Sequence, residues 1–217
     1  CESEIENNDE RLLNLCERVI NLFPTHPLPY YLKGFITYQK NNYKEAIKTL
    51  QEGEKWAGSN KHLAPEFWAI LCECFYRIND YESCYKYYDK YLENKPGEVG
   101  ILNNYAYYLS ERNEKLEKAE QMSKITIEAE PKNSTFLDTY GWIMFKMGRY
   151  KEAETYIRRA IDNDKEPSAT LFEHYGDTMY KLNRPDEARK YWQKALDTNN
   201  ENINTDSLNH KLKNGIE

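Results

Sequence analysis

The sequence predicts an all-α protein, a right-handed superhelical solenoid of helical hairpins, and three observations predict it. Small residues recur in pairs twelve positions apart: Gly34/Ala46, Cys72/Cys84, Gly141/Ala153 and Gly176/Ala188, with Ala106/Ala119 the same pair plus one residue. The leading members step by 38, 34, 35 and 35 residues, a period that belongs to helical repeats. A bulky residue (Tyr30, Trp68, Leu102, Leu137 or Phe172) stands four before each leading member, which places both on one helix face.

The physical basis is two helices that touch where they cross. Apolar residues at three- and four-residue spacing make one buried stripe per helix, and the paired small residues permit the close approach. Asn41-Asn42, Asn79-Asp80, Gly148-Arg149 and Asn183-Arg184-Pro185 punctuate the hairpins. Pro185 suits a first helical position, where its missing N–H costs nothing. A single hairpin cannot bury its own apolar face, so hairpins must stack, and this chain has enough to do so.

In order, residues 1–26 read as a half repeat, the second helix of an upstream hairpin. That helix spans Asn8–Phe23, with Leu12, Cys16 and Val19 buried and Pro24 closing it. Hairpins follow at 27–64, 65–98, 99–133, 134–168 and 169–202. Residues 203–217 read as a capping helix that Asp206 starts and that runs to about Asn214, with Leu208 and Leu212 on its apolar side. A half repeat at the start implies that the natural chain continues upstream.

Composition narrows the chemistry. Among 217 residues, 36 Asp and Glu face 30 Lys and Arg, a net charge of −6 that argues against nucleic acid as a partner. No apolar run approaches the length of a membrane span. His26, His62, His174 and His210 are not spaced to build a metal shell with Cys, His or carboxylates, and Cys72-x-Cys74 points its thiols to different helix faces. Glu173-His174 are adjacent in a helix and do not face each other. No phosphate loop, HExxH or GxSxG is present. The expectation is therefore no catalytic residue, no metal and no cofactor. Five cysteines exclude a complete disulfide framework. Cys72 and Cys84 should meet inside one hairpin, close enough to bridge, with free thiols the favoured state and a disulfide the open alternative.

The motif residues carry a resemblance to the tetratricopeptide repeat family. Its pattern W-x2-L-G-x2-Y…A-x3-F…P is matched by Trp68, Leu71, Cys72, Phe75, Cys84, Tyr88 and Pro96. Tyr140-Gly141…Ala153…Ile157 and Tyr175-Gly176…Ala188…Trp192 match it too. The resemblance covers roughly residues 27–200. The departures are Cys in place of Gly and Ala in the second repeat and a four-residue insertion around Ala57–Leu63.

The resemblance implies a concave groove lined by the first helix of each repeat. Carried onto this sequence, the groove residues are Tyr31, Phe35 and Tyr38, then Glu73, Tyr76 and Arg77, then Asn103, Tyr107 and Ser110. Asp138, Trp142 and Phe145 follow, then Glu173, Asp177 and Tyr180. Such a trough suits a protein or peptide ligand: Tyr and Trp bury large areas, and Asn103 can donate to and accept from a backbone. The carboxylates favour a ligand carrying Lys or Arg. The two-Lys, two-Asn, one-Arg clamp for chaperone C-termini is not matched, because Tyr31 and Phe35 stand where Lys and Asn are needed.

Residues 102–194 look most like bacterial multi-repeat proteins, many of them exported lipoproteins, on Asn103-Asn104-Tyr105-Ala106, Leu137-Asp138-Thr139-Tyr140-Gly141-Trp142 and His174-Tyr175-Gly176-Asp177. A chain starting at Cys1 before acidic residues resembles a mature lipoprotein with a lipid anchor on Cys1, and an arbitrary end explains the same fact. The expected function is a non-catalytic interaction scaffold that binds a peptide or partner helix, as part of a longer chain. Two alternatives stay open: an envelope adaptor that recruits a protease or assembly factor, and a self-associating structural protein. The compartment is periplasmic or outer-membrane-associated if Cys1 is acylated and cytoplasmic otherwise. The oligomeric state is not readable.

Overall fold

The computed structural model describes residues 2–58, 62–198 and 204–216. Cys1 lies outside them, as do residues 59–61 of the Ala57–Leu63 insertion and most of the polar break before the last helix. Every regular element among the described residues is an α-helix. They are α1 (Glu2–Leu22), α2 (Pro27–Gln39), α3 (Tyr43–Ala57), α4 (Ala64–Arg77), α5 (Tyr81–Asn94) and α6 (Val99–Glu111). Then come α7 (Leu116–Ala129), α8 (Ser134–Lys146), α9 (Tyr150–Asn163), α10 (Ala169–Lys181), α11 (Pro185–Asp197) and α12 (Thr205–Asn214).

The chain forms two compact units, Cys1–Ile101 and Leu102–Glu217. In the first, α2 pairs with α3 and α4 with α5, while α1 packs on α2 and α3 on α4. In the second, α8 pairs with α9 and α10 with α11; α7 packs on α8, α9 on α10 and α12 on α11. α6 and α7 meet where Lys118 Nζ donates to Tyr105 Oη at 3.0 Å. Each unit is thus a stack of hairpins, the all-α solenoid architecture.

All the hairpins turn in one way. Asn41, Asn79, Asn113, Gly148 and Asn183 each adopt a left-handed backbone, with φ of 59°, 63°, 55°, 76° and 62°. The next N–H reaches back five residues: Asn42 to Thr37, Asp80 to Phe75, Glu114 to Leu109, Arg149 to Met144 and Arg184 to Met179, at 2.9–3.1 Å. This is the Schellman closure, and Asn or Gly tolerates the left-handed position. The sequence reading found four of these turns and missed Asn113. There the extra residue is absorbed by Lys115, a second left-handed residue with φ 46°.

The paired small residues sit at the crossings. Ala46, Cys72, Cys84, Ala106, Ala119, Ala153 and Ala188 are fully buried. A Cβ on Gly141 would lie 2.5 Å from Ile157 Cγ1 and 3.1 Å from Ile157 N, so the backbones themselves set the spacing of α8 and α9. One on Gly176 would lie 2.5 Å from Trp192 Cδ1. Gly53 was not anticipated: a methyl there would run into Tyr30 and Phe67, so the second helix of the first hairpin carries its own close approach. Cys72 and Cys84 are free thiols. Burial pushes both up, Cys84 to about 12 and Cys72 well above its ordinary value, which leaves neither a nucleophile at neutral pH.

Both ends differ from expectation. α1 begins at Glu2 rather than Asn8. Of Leu12, Cys16 and Val19, only Cys16 is buried; Leu12 is 36% exposed. α12 is capped by Asn204, whose side chain accepts from Ser207 N at 2.9 Å, instead of by Asp206. Leu208 is its fully buried anchor. No helix among the described residues is long and apolar enough to cross a membrane.

Candidate functional site: an acidic, aromatic groove

In the first unit, the predicted groove residues make ring contacts. Tyr31 stacks on Phe35, with centroids 6.4 Å apart, and meets Phe67 edge-on at 5.5 Å. Tyr38 leans on Tyr43 and Tyr76 on Tyr81. Tyr88 Oη donates to Glu73 Oε1 at 2.9 Å, and Arg77 is exposed. Burial raises the Tyr38 phenol; the Glu73 charge adds to that and Arg77 opposes it, which places all three in one neighbourhood.

The second unit holds the more developed site. Its first helices, α6, α8 and α10, line two cavities of about 270 and 330 Å³. The first lies between Asn103 and Tyr107 of α6, Asp138 of α8, and the α9–α10 corner at Asp164 and Thr170. The second lies between Tyr107 and Glu111 of α6, Trp142 of α8, Glu173, His174 and Asp177 of α10, and Lys211 of α12. Tyr107 and Thr170 line both, so the two adjoin.

Six of the predicted residues line these cavities: Asn103, Tyr107, Asp138, Trp142, Glu173 and Asp177. The structure gives them unequal roles. Asn103 is only 4% exposed, and its Oδ1 has no hydrogen-bond partner. Ser110 turns its hydroxyl back onto Tyr107 O at 2.7 Å. Tyr180 leans on Trp192 with centroids 5.7 Å apart. Trp142 stacks on Phe145, at 4.7 Å and 7°, and on His174, at 3.8 Å and 11°; its indole Nε1 donates to Glu111 at 2.7 Å. Glu173 and Asp177 are already engaged: Lys211 Nζ lies 2.7 Å from Glu173 Oε1 and 2.7 Å from Asp177 Oδ2, and Trp192 Nε1 donates to Asp177 Oδ1 at 2.8 Å.

Two residues outside the predicted groove set, His174 and Lys211, organise the groove. His174 does not face its neighbour Glu173; it reaches one repeat back, with Nδ1 bonded to Asp138 at 3.0 and 3.1 Å. The repeat register puts Asp138 one period before Glu173, a signal that could have brought the pair together. Nothing in the repeat pattern points to Lys211, which lies in the cap. Burial pushes the Lys211 ammonium down, but the Asp177 and Glu173 carboxylates outweigh it and hold the group charged.

For His174, burial is the largest single influence and lowers its pKa. The charge and hydrogen bond of Asp138, with Asp177 and Glu111 behind them, more than reverse this and leave the ring above its ordinary 6.5. A histidine raised on folding stabilises the fold fully below its unfolded value, and loses that contribution as pH rises through its folded value. The urea midpoint of the wild type is therefore expected to fall from pH 6 to pH 8.5 by more than that of His174→Gln. Parallel pH profiles for the two proteins would show that the imidazolium contributes nothing.

Among the described residues no group of three or more His, Cys, Asp or Glu could hold a metal ion. Comparison with known proteins agrees with the architecture. A family model described as Tetratricopeptide repeat matches residues 107–206, and a second of the same description matches residues 29–60. This chain is a tetratricopeptide repeat (TPR) protein. A TPR repeat-containing protein of Pseudomonas aeruginosa is 25% identical over 139 residues, which are 64% of this chain and 23% of that protein. The TPR chain thus spans about a quarter of the curated relative it matches.

Among solved structures, PilW, titled a widely conserved type IV pilus biogenesis factor, superposes with a TM-score of 0.73 at 17% identity, covering 87% of this chain and 85% of its own. PilF of Pseudomonas aeruginosa gives 0.67 at 20% identity, covering 86% and 82%. YrrB, titled a TPR protein with an unusual peptide-binding site, gives 0.65 at 14% identity, covering 91% and 97%. At these identities the likeness is one of fold. A TPR scaffold is consistent with protein–protein interaction, and TPR folds are generally non-catalytic scaffolds.

Proposed function

We propose that this TPR protein is a non-catalytic scaffold that binds an extended protein segment in the groove of its second unit. The observation that carries the reading is Asn103 Oδ1, buried beside an open cavity without a partner. Leaving such an acceptor unsatisfied costs about 1–3 kcal/mol, and a backbone N–H of a passing segment would satisfy it. Tyr107, half-buried between the two cavities, offers aromatic area beside it. The rings around Tyr31, Phe35, Tyr38 and Tyr76, with Glu73 and Arg77, are proposed as further partner surface on the first unit. The unusual peptide-binding site of YrrB supports the reading by analogy of fold. The likeness to PilW, a type IV pilus biogenesis factor, keeps the envelope adaptor part of the proposal.

The test is capture from a lysate of the cells that encode the protein, with wild type and Asn103→Ala/Tyr107→Ala as baits. Asn103→Ala removes an unpartnered acceptor, so its unfolding free energy should stay within about 1 kcal/mol of wild type. A protein held by the wild type and lost by the folded variant is the expected result. If both baits hold the same proteins, the groove is not the working surface.

One observation favours self-association as a second reading. Leu15, Leu22, Phe23 and Leu28 are exposed, and an apolar recess of about 260 Å³ opens between Leu12, Leu15, Phe23 and Leu28 in the first unit. A mass that grows with concentration in light scattering would support it.

A further inference from the structure

We infer that the cavity between α6, α8 and the α9–α10 corner is a seat for a basic side chain of the bound segment. A Lys ammonium or Arg guanidinium would sit against Asp164 and Asp138, while Asn103 Oδ1 accepts an N–H from the same segment. The inference rests on the groove reading above and names the chemistry of the ligand.

The lining decides the sign of the charge. Hydroxyls, amides, tyrosines and Leu171 bound the cavity, and among the described residues its charged lining is Asp138 and Asp164, with no Lys or Arg. An acceptor buried beside two carboxylates calls for a donor, and a cationic donor makes the strongest hydrogen bonds to carboxylates.

The carboxylates along the groove differ in what they already hold. Glu173 and Asp177 have Lys211. Glu111 has the Trp142 indole N–H. Asp138 has His174. Among the described residues Asp164 meets neutral donors, the Ser134 hydroxyl at 3.0 Å and the Glu166 backbone N–H at 3.0 Å. Of the two carboxylates that line this cavity it is the one without an ionisable partner there, so it should provide most of the attraction.

The protein also shows that this groove accepts such a group. Next door, Lys211 lies between two carboxylates with its side chain 16% exposed, an ammonium taken largely out of water and held by charge. The cavity's volume of about 270 Å³ falls just below the roughly 300–1,000 Å³ of small-molecule sites, which suits one long side chain and its backbone better than a cofactor.

The experiment titrates the ¹⁵N-labelled protein with two acetylated, amidated tripeptides, Ala-Lys-Ala and Ala-norleucine-Ala, at low salt, following the amide signals of Asn103, Thr135 and Thr170. The lysine peptide is expected to bind about tenfold tighter, and Asp164→Asn to reduce that advantage to twofold or less. Asp164→Glu should keep the advantage, which guards against loss of fold in the first variant. Glu128→Gln, an exposed change on α7, should have no effect. Equal affinity for the two peptides, no shift with either, or a lysine advantage that survives Asp164→Asn would each overturn the inference. If both peptides bind alike and Asn103→Ala abolishes both, the groove binds segments without reading their charge, and only the cation seat is lost.

Discussion

Replacing Lys211 by methionine is expected to destabilise the second unit by about 3 kcal/mol. α12 returns this lysine to α10, where it makes hydrogen bonds of 2.7, 2.9 and 2.7 Å to Glu173 and Asp177. The Asp177 side chain is 7% exposed, so removing the ammonium strands a buried carboxylate with the Trp192 indole as its remaining donor. Breaking a buried pair from one side costs about 3–5 kcal/mol, and the lower end applies because Glu173 is 27% exposed and can turn to water. Near-UV circular dichroism across a urea titration measures the loss. Hydrogen exchange in α12 should quicken about 100-fold, since each 1.4 kcal/mol is a factor of ten. Asp177→Asn with Lys211→Met should cost less than Lys211→Met alone, because no uncompensated charge remains. An unchanged urea midpoint in Lys211→Met would mean the triad is solvated and contributes little.

Trp142→Ala is expected to cost about 3–5 kcal/mol, the range for deleting a buried Trp or Phe. The ring is 6% exposed and stacks on Phe145 and on His174, with Lys146 Nζ over it at 4.6 Å. Its loss opens a void in that stack and leaves Glu111 without its indole donor. Trp142→Phe keeps a ring in the stack and should cost about 1 kcal/mol for the hydrogen bond, plus the smaller volume. A fluorescence-monitored urea titration of both variants checks this. A midpoint for Trp142→Ala within error of the wild type would mean that the stack is not held in solution. The sequence reading places Trp142 in the partner-binding row, and in the structure the ring is also packed within its own unit, against Phe145 and His174. Loss of a partner in Trp142→Ala would report lost packing as readily as lost contact, and Asn103 and Tyr107 are the cleaner probes.

The turns show how far a repeat pattern can be read. Asn41, Asn79, Gly148 and Asn183 announce themselves because few residues tolerate a left-handed backbone and each falls at the same place in its unit. Asn113 escaped because one inserted residue shifts the register, and Lys115 absorbs the shift with a conformation its side chain does not advertise. Gly53 escaped for a different reason. It stands outside the small-residue pair, and its need for space comes from Tyr30 and Phe67 on two other helices.

What the sequence by itself determined is the hairpin, its crossings and its turns, because each depends on residues a few positions apart on one helix or on two successive helices. It also determined which side chains fall on the first helices. Only the tertiary structure decided which of those remain open. Asp177 and Glu173 look alike in sequence to Asp138, yet they are engaged by a lysine 34 and 38 residues away on the capping helix. Asn103 looks like any groove asparagine, yet its Oδ1 is buried without a partner. Repeat spacing fixes the face on which a side chain emerges. Whether that side chain is already satisfied depends on the reach of groups from neighbouring hairpins and the cap, and no period in the sequence encodes that.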